Sequence, residues 1–570
     1  MSSQYTRPPK LNIAITTSAS QNDNSSESPT ENTPLLSATT TTTRIPSPEA
    51  EELGQVTKDS RDDSRIPTYR LILQEAWVTT KYALPVFGIN VLEYSLVVVS
   101  VLSIGHISTS ALAAITIGEM TVNVTGLSVI QGFASALDTL LPSAWTSPHP
   151  QLVGLWTQRM IVVVSFFLIP IFILWINAEA VLLKLKQEPE VARLAAVYLR
   201  WMCIGLPAYA FNCITRRYFQ AQNLFNVPAR IIVIVAPLNV LLNYLLVWGP
   251  STVRIGFIGA PLATSISYYI ISISYIIYGV FFVPRTAWHP LSILGFRNLG
   301  VLIKLGLAGI GQTCSEWWSW DIVALVASQF GSDVILASQS VLVVTSSTTW
   351  LAPFSLGVAA SIRIGNLLGA NQARRAGAAA KAAVLTGLIL AGVMSTFLLI
   401  VRNRWAYLFN EDPAVVSLVA SIIPLLAMFQ VFDANAAITS GILRARGKQI
   451  TGAVLNIGAY YVLGIPFGIL LAFKFNMKLT GLWLGLTVAL VICAVVGTIL
   501  CIWTPNWEEE VEKVMERLEG DKRALEDSED EEEGDGTSTE RRVAVISEEE
   551  EEGEGRRRIS DAAVNGDSRL

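Results

Sequence analysis

Twelve long apolar stretches constrain the fold of this 570-residue sequence more than any other feature. Each is long enough to cross the ~30 Å hydrocarbon core of a bilayer as an α-helix. Backbone groups in lipid must be hydrogen-bonded within the segment, which favours helices. The sequence therefore predicts an all-α polytopic membrane protein with spans at 82–104, 112–138, 158–177, 193–214, 228–248, 256–283, 302–327, 335–359, 381–401, 414–440, 451–473 and 481–503.

The charge of the chain is distributed unevenly and separates a membrane body from two tails. Residues 508–570 hold 24 acidic and 10 basic side chains, a net charge of −14, and residues 1–66 hold 9 acidic and 6 basic. The body between them carries 25 basic and 13 acidic side chains. We expect disordered tails at 1–66 and 508–570, and two six-helix domains at 67–290 and 291–507.

Positive charges in the connections predict the orientation of the spans. Connections that follow even-numbered spans contain fourteen Lys and Arg residues, whereas the opposite connections contain eight. Short loops rich in Lys and Arg remain in the cytosol. We therefore expect even-numbered spans to end at the cytosolic face and both tails to be cytosolic.

Each tail contains one short motif. Glu31, Leu35 and Leu36 fit the acidic dileucine pattern that sorting adaptors read, which favours the vacuolar membrane, with the plasma membrane as the alternative. In the acidic tail, three consecutive arginines end at Arg558, two positions before Ser560, as in a basophilic kinase site. A chance match in the first tail, and a merely solvated second tail, are the alternatives to sorting and regulation.

Six carboxylates lie inside the predicted spans, where charge is costly. An acidic side chain at a helix centre costs ~2.5–3.5 kcal/mol on insertion, and such groups usually face a cavity or relay protons. A buried carboxylate can hold a proton or a cationic substrate, but not comfortably both. This competition predicts proton-driven exchange of small organic cations. The six are Glu93, Glu119, Asp138, Glu316, Asp321 and Asp433.

Three of these acids allow structural roles. Asp138 ends its span, which favours a cap or a pair with a loop arginine. Glu119 lies near the start of the same span, from which it can reach the interface. Glu93 follows an apolar run in mid-span, and functional and structural roles are both open.

Glu316, Asp321 and Asp433 lie deeper and are the stronger candidates for binding a proton or substrate. At about 100° per residue, Glu316 and Asp321 are roughly 140° apart around an ideal helix, so they share a cavity only if the helix bends. Tryptophans between them suit an organic cation, through cation–π attraction of ~0.5–2 kcal/mol, with packing as the alternative. These cavity-lining candidates are Trp317, Trp318 and Trp320.

Motifs for catalysis, cofactors and metals do not occur in the sequence. The five cysteines lie in apolar stretches without a CxxC pair, and the three histidines are scattered. No phosphate-binding loop is present, which argues against direct coupling to ATP. We therefore expect neither an enzyme, nor a cofactor or metal, nor a nucleic-acid partner.

A weak internal repeat relates the two halves. Gly132-Phe-Ala-Ser-Ala-Leu-Asp138 closes the second span, and Gly357-Val-Ala-Ala-Ser-Ile-Arg363 closes the eighth, 225 residues later. Parallel repeats are a common plan in transporters, with the substrate site near the midplane between them.

Five segments between residues 72 and 505 resemble one family of transporters in order and spacing. The acidic-Trp-Trp pattern from Cys314 to Asp321 resembles that family's seventh helix, and the two repeat segments above resemble the ends of its second and eighth helices. The remaining two segments, Thr439 to Gln449 and Asn456 to Gly468, resemble its tenth and eleventh helices. The family is that of the eukaryotic multidrug and toxic compound extrusion (MATE) transporters, and we expect a fungal member.

The resemblance implies a V-shaped fold of two six-helix lobes around a central cavity. It implies export of varied, often cationic, organic compounds from the cytosol, driven by H⁺, or by Na⁺ in some bacterial members. A monomer in the lipid bilayer, without a cofactor, is the expected unit. In eukaryotic relatives the essential acids fall on positions matching Glu316, Asp321 and Asp433, and Gln339 also matches.

Two positions depart from the pattern of the family. The eighth-helix glutamate of animal relatives falls near Val344, in an uncharged run of Thr and Ser. The first-helix aspartate of many prokaryotic relatives falls near Ser100, with Glu93 two turns earlier as a stand-in. The substrate range therefore does not carry over.

Two other functions remain open beside proton-coupled export. A flippase for lipid-linked precursors of the same superfamily would need a cationic cavity for a pyrophosphate headgroup, whereas the charges inside the spans are mostly acidic. A non-transporting membrane sensor would not need several buried acids in one lobe.

Overall fold

Twelve long helices form the body of the protein in the computed structural model, which describes residues 66–105 and 107–524. Each overlaps one predicted span. They are α1 Thr68–Gly105, α2 Ser110–Trp145, α3 Leu152–Ile176, α4 Pro189–Ala221, α5 Asn226–Trp248, α6 Gly259–Phe282, α7 Gly300–Ser328, α8 Asp333–Gly369, α9 Ala373–Trp405, α10 Pro413–Ala445, α11 Gln449–Lys474 and α12 Lys478–Trp503. We refer to α1–α6 and α7–α12 as the first and second halves. The sorting residues Glu31, Leu35 and Leu36, and the kinase motif at Ser560, lie outside the described residues.

Eleven helices of the described chain are long and apolar enough to cross a membrane. The twelfth, α7, has 29 residues, which is ample length at ~1.5 Å per residue. Its middle contains Gln312, Glu316 and Asp321, which lower its hydropathy. The helix with the weakest membrane signal is therefore the one that carries two candidate site acids.

Several helices extend well beyond the predicted spans at one face, which we call the basal face: the end of the molecule where the even-numbered helices of each half finish. Helix α1 has 38 residues and α8 has 37, against a ~30 Å core that needs about 20. Hydropathy detects only the part of a helix that contacts lipid. The additional turns, which include Glu75 in α1 and Arg363 in α8, are held by polar contacts between helices instead.

Left-handed residues end α4 and α10 at the basal face. Asn223 has φ 62° and Gly447 has φ 67°, the backbone conformation that Gly and Asn adopt most readily. In each case the backbone N–H of the following residue donates to a carbonyl of the last helical turn. Leu224 donates to Phe219, and Lys448 donates to Leu443. Two equivalent helices of the internal repeat therefore end by the same device.

Glycines bring the two halves into backbone contact near the basal face. A Cβ on Gly309 of α7 would lie 2.3 Å from the carbonyl oxygen of Gly132 in α2, and one on Gly132 would lie 2.6 Å from Cα of Ile310. Hydrogen bonds join the halves from this face as far as Trp318, whose indole N–H donates to the carbonyl of Val124 at 3.2 Å. The cleft between the halves is therefore sealed on its basal side.

The chain continues past the last span as a further helix, α13, over 507–524. The prediction of a disordered tail from residue 508 is therefore wrong for 508–524. The prediction rested on net charge and overlooked an amphipathic pattern. Val511, Val514 and Leu518 are buried, whereas the neighbouring acidic residues Glu512, Glu516 and Glu519 are exposed.

Candidate transport site

Asp433 on α10 is the most enclosed acid of the second half, with 3% of its surface exposed. Its Oδ2 atom is buried, and no described donor reaches it. Glu316 of α7 lies within electrostatic range of Asp433. A buried carboxylate oxygen without a donor is costly in the ionised form, so Asp433 favours a bound proton or cation. Glu316 differs, because Arg444 lies within electrostatic range of it.

Side chains of α11 and α12 complete the surroundings of this pair. Tyr460 and Cys493 both lie within electrostatic range of Glu316 and Asp433. Asn456 connects three helices, since its Nδ2 donates to the carbonyl of Gln312 at 3.1 Å and its Oδ1 lies 3.6 Å from the sulfur of Cys493. The site is therefore formed by α7, α10, α11 and α12.

Local backbone geometry positions Tyr460. Residues Gly458–Gly464 form a π-helical segment of α11, and Pro466 follows it in the first turn of the next α-helical segment. Proline has no N–H for the preceding turn, and two glycines ease the wider winding. Single-turn π segments are frequent at functional sites because they redirect side chains.

Gln339 of α8 lies in a neighbouring aromatic cluster. Its Oε1 accepts from the indole N–H of Trp483 at 2.9 Å, and its Nε2 is buried without an acceptor among the described residues. Trp320, Phe429 and Trp483 meet pairwise at centroid distances of 5.5–5.7 Å in edge-to-face geometry. Phe429 lies one turn before Asp433, so this cluster packs beside the carboxylate.

The three tryptophans of α7 lie in different environments. Trp320 packs in the aromatic cluster, so the structure favours packing, the alternative interpretation, for this residue. Trp318 is 38% exposed and donates to Val124 of the opposite half. Trp317 is half-buried, and its role as a cavity-lining residue stays a prediction.

Asp321 lies apart from the Glu316–Asp433 pair. It is half-buried and within electrostatic range of Tyr461, whose hydroxyl is buried without a described partner. This separation agrees with the helical spacing, which sets Asp321 roughly 140° from Glu316 around an ideal helix. The two acids of α7 occupy different environments.

In the first half, Glu93 is bound by arginine. Arg216 Nη1 of α4 donates to both carboxylate oxygens of Glu93, at 2.6 and 2.7 Å. A charge-assisted pair of this kind favours the ionised carboxylate. The structure therefore favours a structural role for Glu93 over that of a coupling acid.

Asp138 also pairs with arginine, as its position at the end of a span predicted. Arg217 Nε donates to Asp138 at 3.0 Å, and Arg444 of the second half lies 3.5 Å from the other carboxylate oxygen. Arg216 and Arg217 line a pocket between the halves together with Asp138, and Phe354 of α8 contributes to its lining from the second half.

Glu119 is buried, so the prediction that it reaches the interface is wrong. Its exposed fraction is 8%, and it accepts a hydrogen bond from the hydroxyl of Tyr198 on α4. The partner of this buried carboxylate is a tyrosine on another helix, and the sequence around Glu119 alone does not indicate it.

Sequence reasoning missed Tyr460, Asn456 and Cys493 as neighbours of the acids. Asn456 and Tyr460 lie in the segment from Asn456 to Gly468, which carries part of the family resemblance. That resemblance was the sequence feature that could have identified them. Cys493 gave none, because a buried cysteine in an apolar helix is typical of packing. In the described part of the chain, no group of three His, Cys, Asp or Glu side chains could hold a metal ion.

Comparison with known families agrees with this architecture. The MatE family model matches residues 85–245 and 310–470. The two matches begin 225 residues apart, which is the offset between the motifs at Gly132 and Gly357. The internal repeat is thus a repeat of the family's own unit.

Similar proteins occur in fungi, plants and animals. An uncharacterized transporter of Schizosaccharomyces pombe is 37% identical over 77% of this chain and 81% of its own length. Protein DETOXIFICATION 16 of Arabidopsis thaliana is 34% identical over 76% and 89%. Multidrug and toxin extrusion protein 1 of Danio rerio is 32% identical over 77% and 73%.

Solved structures match the fold. The crystal structure of the eukaryotic MATE transporter AtDTX14 aligns with a TM-score of 0.74 and 31% identity, over 79% of this chain and 100% of that one. An outward-facing multidrug resistance MATE transporter of the MOP superfamily aligns with a TM-score of 0.67 at 15% identity, over 78% and 97%, which supports the fold alone. The expected two-lobed, V-shaped helical fold is thereby confirmed, and the chain belongs to the multidrug and toxic compound extrusion (MATE) family of membrane transporters.

Proposed function

We propose that this transporter is an H⁺-coupled antiporter that exports small organic, often cationic, compounds from the cytosol. The observation that carries the proposal is the buried Oδ2 of Asp433, which lacks a described donor and has Glu316 within electrostatic range. The name of the Danio rerio relative, a multidrug and toxin extrusion protein, supports the substrate class.

Exchange follows from the electrostatics of this pair. When a proton leaves the pair, a negative charge remains in a low-dielectric site, where it attracts an organic cation. When a proton returns, the attraction is lost and the cation is released. Binding of either species therefore weakens binding of the other, as antiport requires.

Asp321, Gln339 and Trp317 have supporting roles in this proposal. Asp321, with the unpartnered hydroxyl of Tyr461 close by, offers a second polar group for substrate. The free Nε2 of Gln339 is a buried donor near the aromatic cluster. Trp317 contributes an aromatic surface, while Glu93 keeps its arginine partner throughout.

We assign the basal face to the cytosol, because the connections there carry the larger number of Lys and Arg residues. Both tails are then cytosolic, and the sealed basal cleft is that of an outward-facing state. A flippase for a pyrophosphate headgroup is disfavoured, because Arg216 and Arg217 beside the pocket are paired with Glu93 and Asp138.

We also propose that the two lobes span 67–290 and 291–507, since each match to the family unit falls within one of them. A monomer is part of the same proposal. Sorting to the vacuolar membrane through Glu31, Leu35 and Leu36 remains part of the proposal. Replacing Leu35 and Leu36 by alanine and following a fluorescent fusion tests it. Unchanged targeting of the double variant would remove the sorting assignment.

Transport in proteoliposomes tests the coupling. Uptake of a fluorescent organic cation driven by an imposed pH gradient should be lost in Asp433→Asn and Glu316→Gln. Asp333→Asn is the matched control, because Asp333 is an exposed acid in the first turn of α8 in the same half. Asp433→Asn that transports as well as Asp333→Asn would refute the proposed role, and uptake that ignores the pH gradient in the unmodified protein would refute H⁺ coupling.

A further inference from the structure

We propose that α13 (507–524) is a strap that ties the two halves together at the basal face and must release one of them when the transporter opens there. Nothing in the transport site requires this helix. It follows α12 after three residues, Thr504 to Asn506, and the side chain of Asn506 accepts from the amide of Glu508 at 3.3 Å. The chain is thus directed across the basal face as an ordered helix.

One end of the strap is held by the second half. Glu510 is 5% exposed and accepts from Arg446 Nη2 at 2.8 Å, while Lys448 Nζ lies 2.9 Å away. Trp507 packs so closely on α9 that a Cβ on Gly377 would lie 2.9 Å from its ring. Buried charge-assisted bonds of this kind are stronger than exposed ones.

The other end of the strap reaches the first half. Arg517 Nη2 donates to Ser143 Oγ at 2.9 Å and lies 3.5 Å from the carbonyl oxygen of Thr139, both in α2. Asp521, one turn later, lies within electrostatic range of Arg159 on α3. Val511, Val514 and Leu518 join the hydrophobic core of the first half and the basal helix ends.

These contacts meet where the halves join. Thr139 Oγ1 donates to the carbonyl of Arg444 and accepts from Gln449 Nε2, so Arg517 binds a residue that already bridges the halves. If the halves separate at this face, the bonds of Glu510 and of Arg517 cannot both persist on a short rigid helix. The strap therefore stabilises the basally closed state relative to the basally open one.

Arg517→Ala removes the hydrogen bonds of the strap to α2 of the first half and leaves the bonds of Glu510 to the second half in place. Arg523→Ala is a matched control on the same helix, since the Arg523 side chain is 77% exposed and pairs with Glu519 at 4.0 Å on the same helix. Arg517→Lys tests whether a positive charge without the guanidinium fork restores part of the contact. Deletion of 507–570 removes the whole strap, so its effect does not depend on the contribution of any single side chain.

The populations of the two states are measured directly, without substrate. Spin labels on Gln151→Cys and Ile450→Cys, both exposed at the basal face in different halves, report the distance between the halves in nanodiscs. Cys203, which is partly exposed, is first replaced by serine, whereas the other four cysteines are buried and are kept.

Arg517→Ala and the deletion should raise the ratio of long to short distances by about five-fold or more, as expected for loss of a charge-assisted bond. Arg523→Ala should match the unmodified protein, and Arg517→Lys should lie between. A deletion variant with the unmodified distance distribution would overturn the strap. Because no cargo or gradient is used, this outcome is separable from failure of the antiport proposal.

Discussion

Glu75 of α1 and Arg363 of α8, 288 residues apart in sequence, form a fully buried salt bridge with two bonds of 2.7 and 2.8 Å. Arg375 approaches the same carboxylate at 3.6 Å. The pair joins the halves at the basal face. Arg363 occupies the last position of its repeat motif, and Asp138 occupies the equivalent position in the first half. Both copies of the repeat therefore place a charged residue where the halves meet.

Breaking this pair should destabilise the protein strongly. Removal of one member of a buried ion pair costs about 3–5 kcal/mol, because the other charge is left without compensation. Glu75→Gln should therefore lower the melting temperature in detergent and favour opening at the basal face. Glu179→Gln is the control, because Glu179 pairs with Arg200 at 3.5 Å in an exposed position and should cost no more than about 1 kcal/mol.

A double-mutant cycle completes this test. If the two side chains act as one unit, Glu75→Gln/Arg363→Gln should cost less than the sum of the single variants. Additive losses would mean that each residue stabilises the fold through other partners.

Close packing of α7 on α2 gives a second prediction. Gly309→Ala places a Cβ 2.3 Å from the carbonyl oxygen of Gly132, so the helices must move apart at a cost of about 1–3 kcal/mol. Gly300→Ala is the matched control in the same helix, since nothing lies within 4 Å of its added Cβ. Thermal unfolding and the distance between the halves should change for Gly309→Ala only. Equal behaviour of both variants would contradict the tight contact.

Periodicity and hydropathy predicted the twelve helices because the lipid core imposes a minimum apolar length on each. They could not predict the basal extensions, such as the first turns of α1 around Glu75. Those turns are stabilised by Arg363, a residue of the other half, and no local signal records that partner.

The candidate site was predictable only in part, for the same reason. A carboxylate inside a membrane span is recognisable from sequence because inserting it costs free energy, and Asp433 was predicted in this way. Whether a carboxylate has a partner depends on other helices: Arg216 neutralises Glu93 and Tyr198 binds Glu119, whereas no described donor reaches Oδ2 of Asp433. Sequence spacing alone could not separate these cases.

The contact between Glu119 and Tyr198 gives a third prediction. Glu119→Leu leaves the buried hydroxyl of Tyr198 without its acceptor, at a cost of about 1–3 kcal/mol, whereas Glu119→Gln keeps an acceptor and should be milder. Thr116→Val, one turn earlier and exposed, should have little effect. Melting temperatures rank these variants. Transport by Glu119→Gln should persist, and its loss without a change in stability would assign Glu119 to coupling.

The last prediction concerns the response of the strap to pH. Burial alone would raise the pKa of Glu510, but hydrogen bonds from Arg446 and Lys448 outweigh it and lower the pKa below its ordinary value of 4.5. A lowered carboxylate pKa stabilises the docked helix above the ordinary value, and this contribution is lost as pH falls through the lower one. The contribution of Glu510 to docking should thus stay constant from about pH 8 to 5 and be lost below about pH 4.

Spin labels on Glu516→Cys of α13 and Ile450→Cys of the second half, both exposed, measure this docking across the pH range. Glu509→Gln, which alters an exposed acid on the same turn, should follow the unmodified curve. Glu510→Gln should lose the acid-induced release. Any pH dependence of docking that remains in this variant should have the opposite sign, with docking strengthened by acid. Burial raises the pKa of Asp521 at the far end of the helix, so protonation of Asp521 favours the docked state. Release of α13 between pH 8 and 5 would show that Glu510 is not held as an ion pair by Arg446 and Lys448.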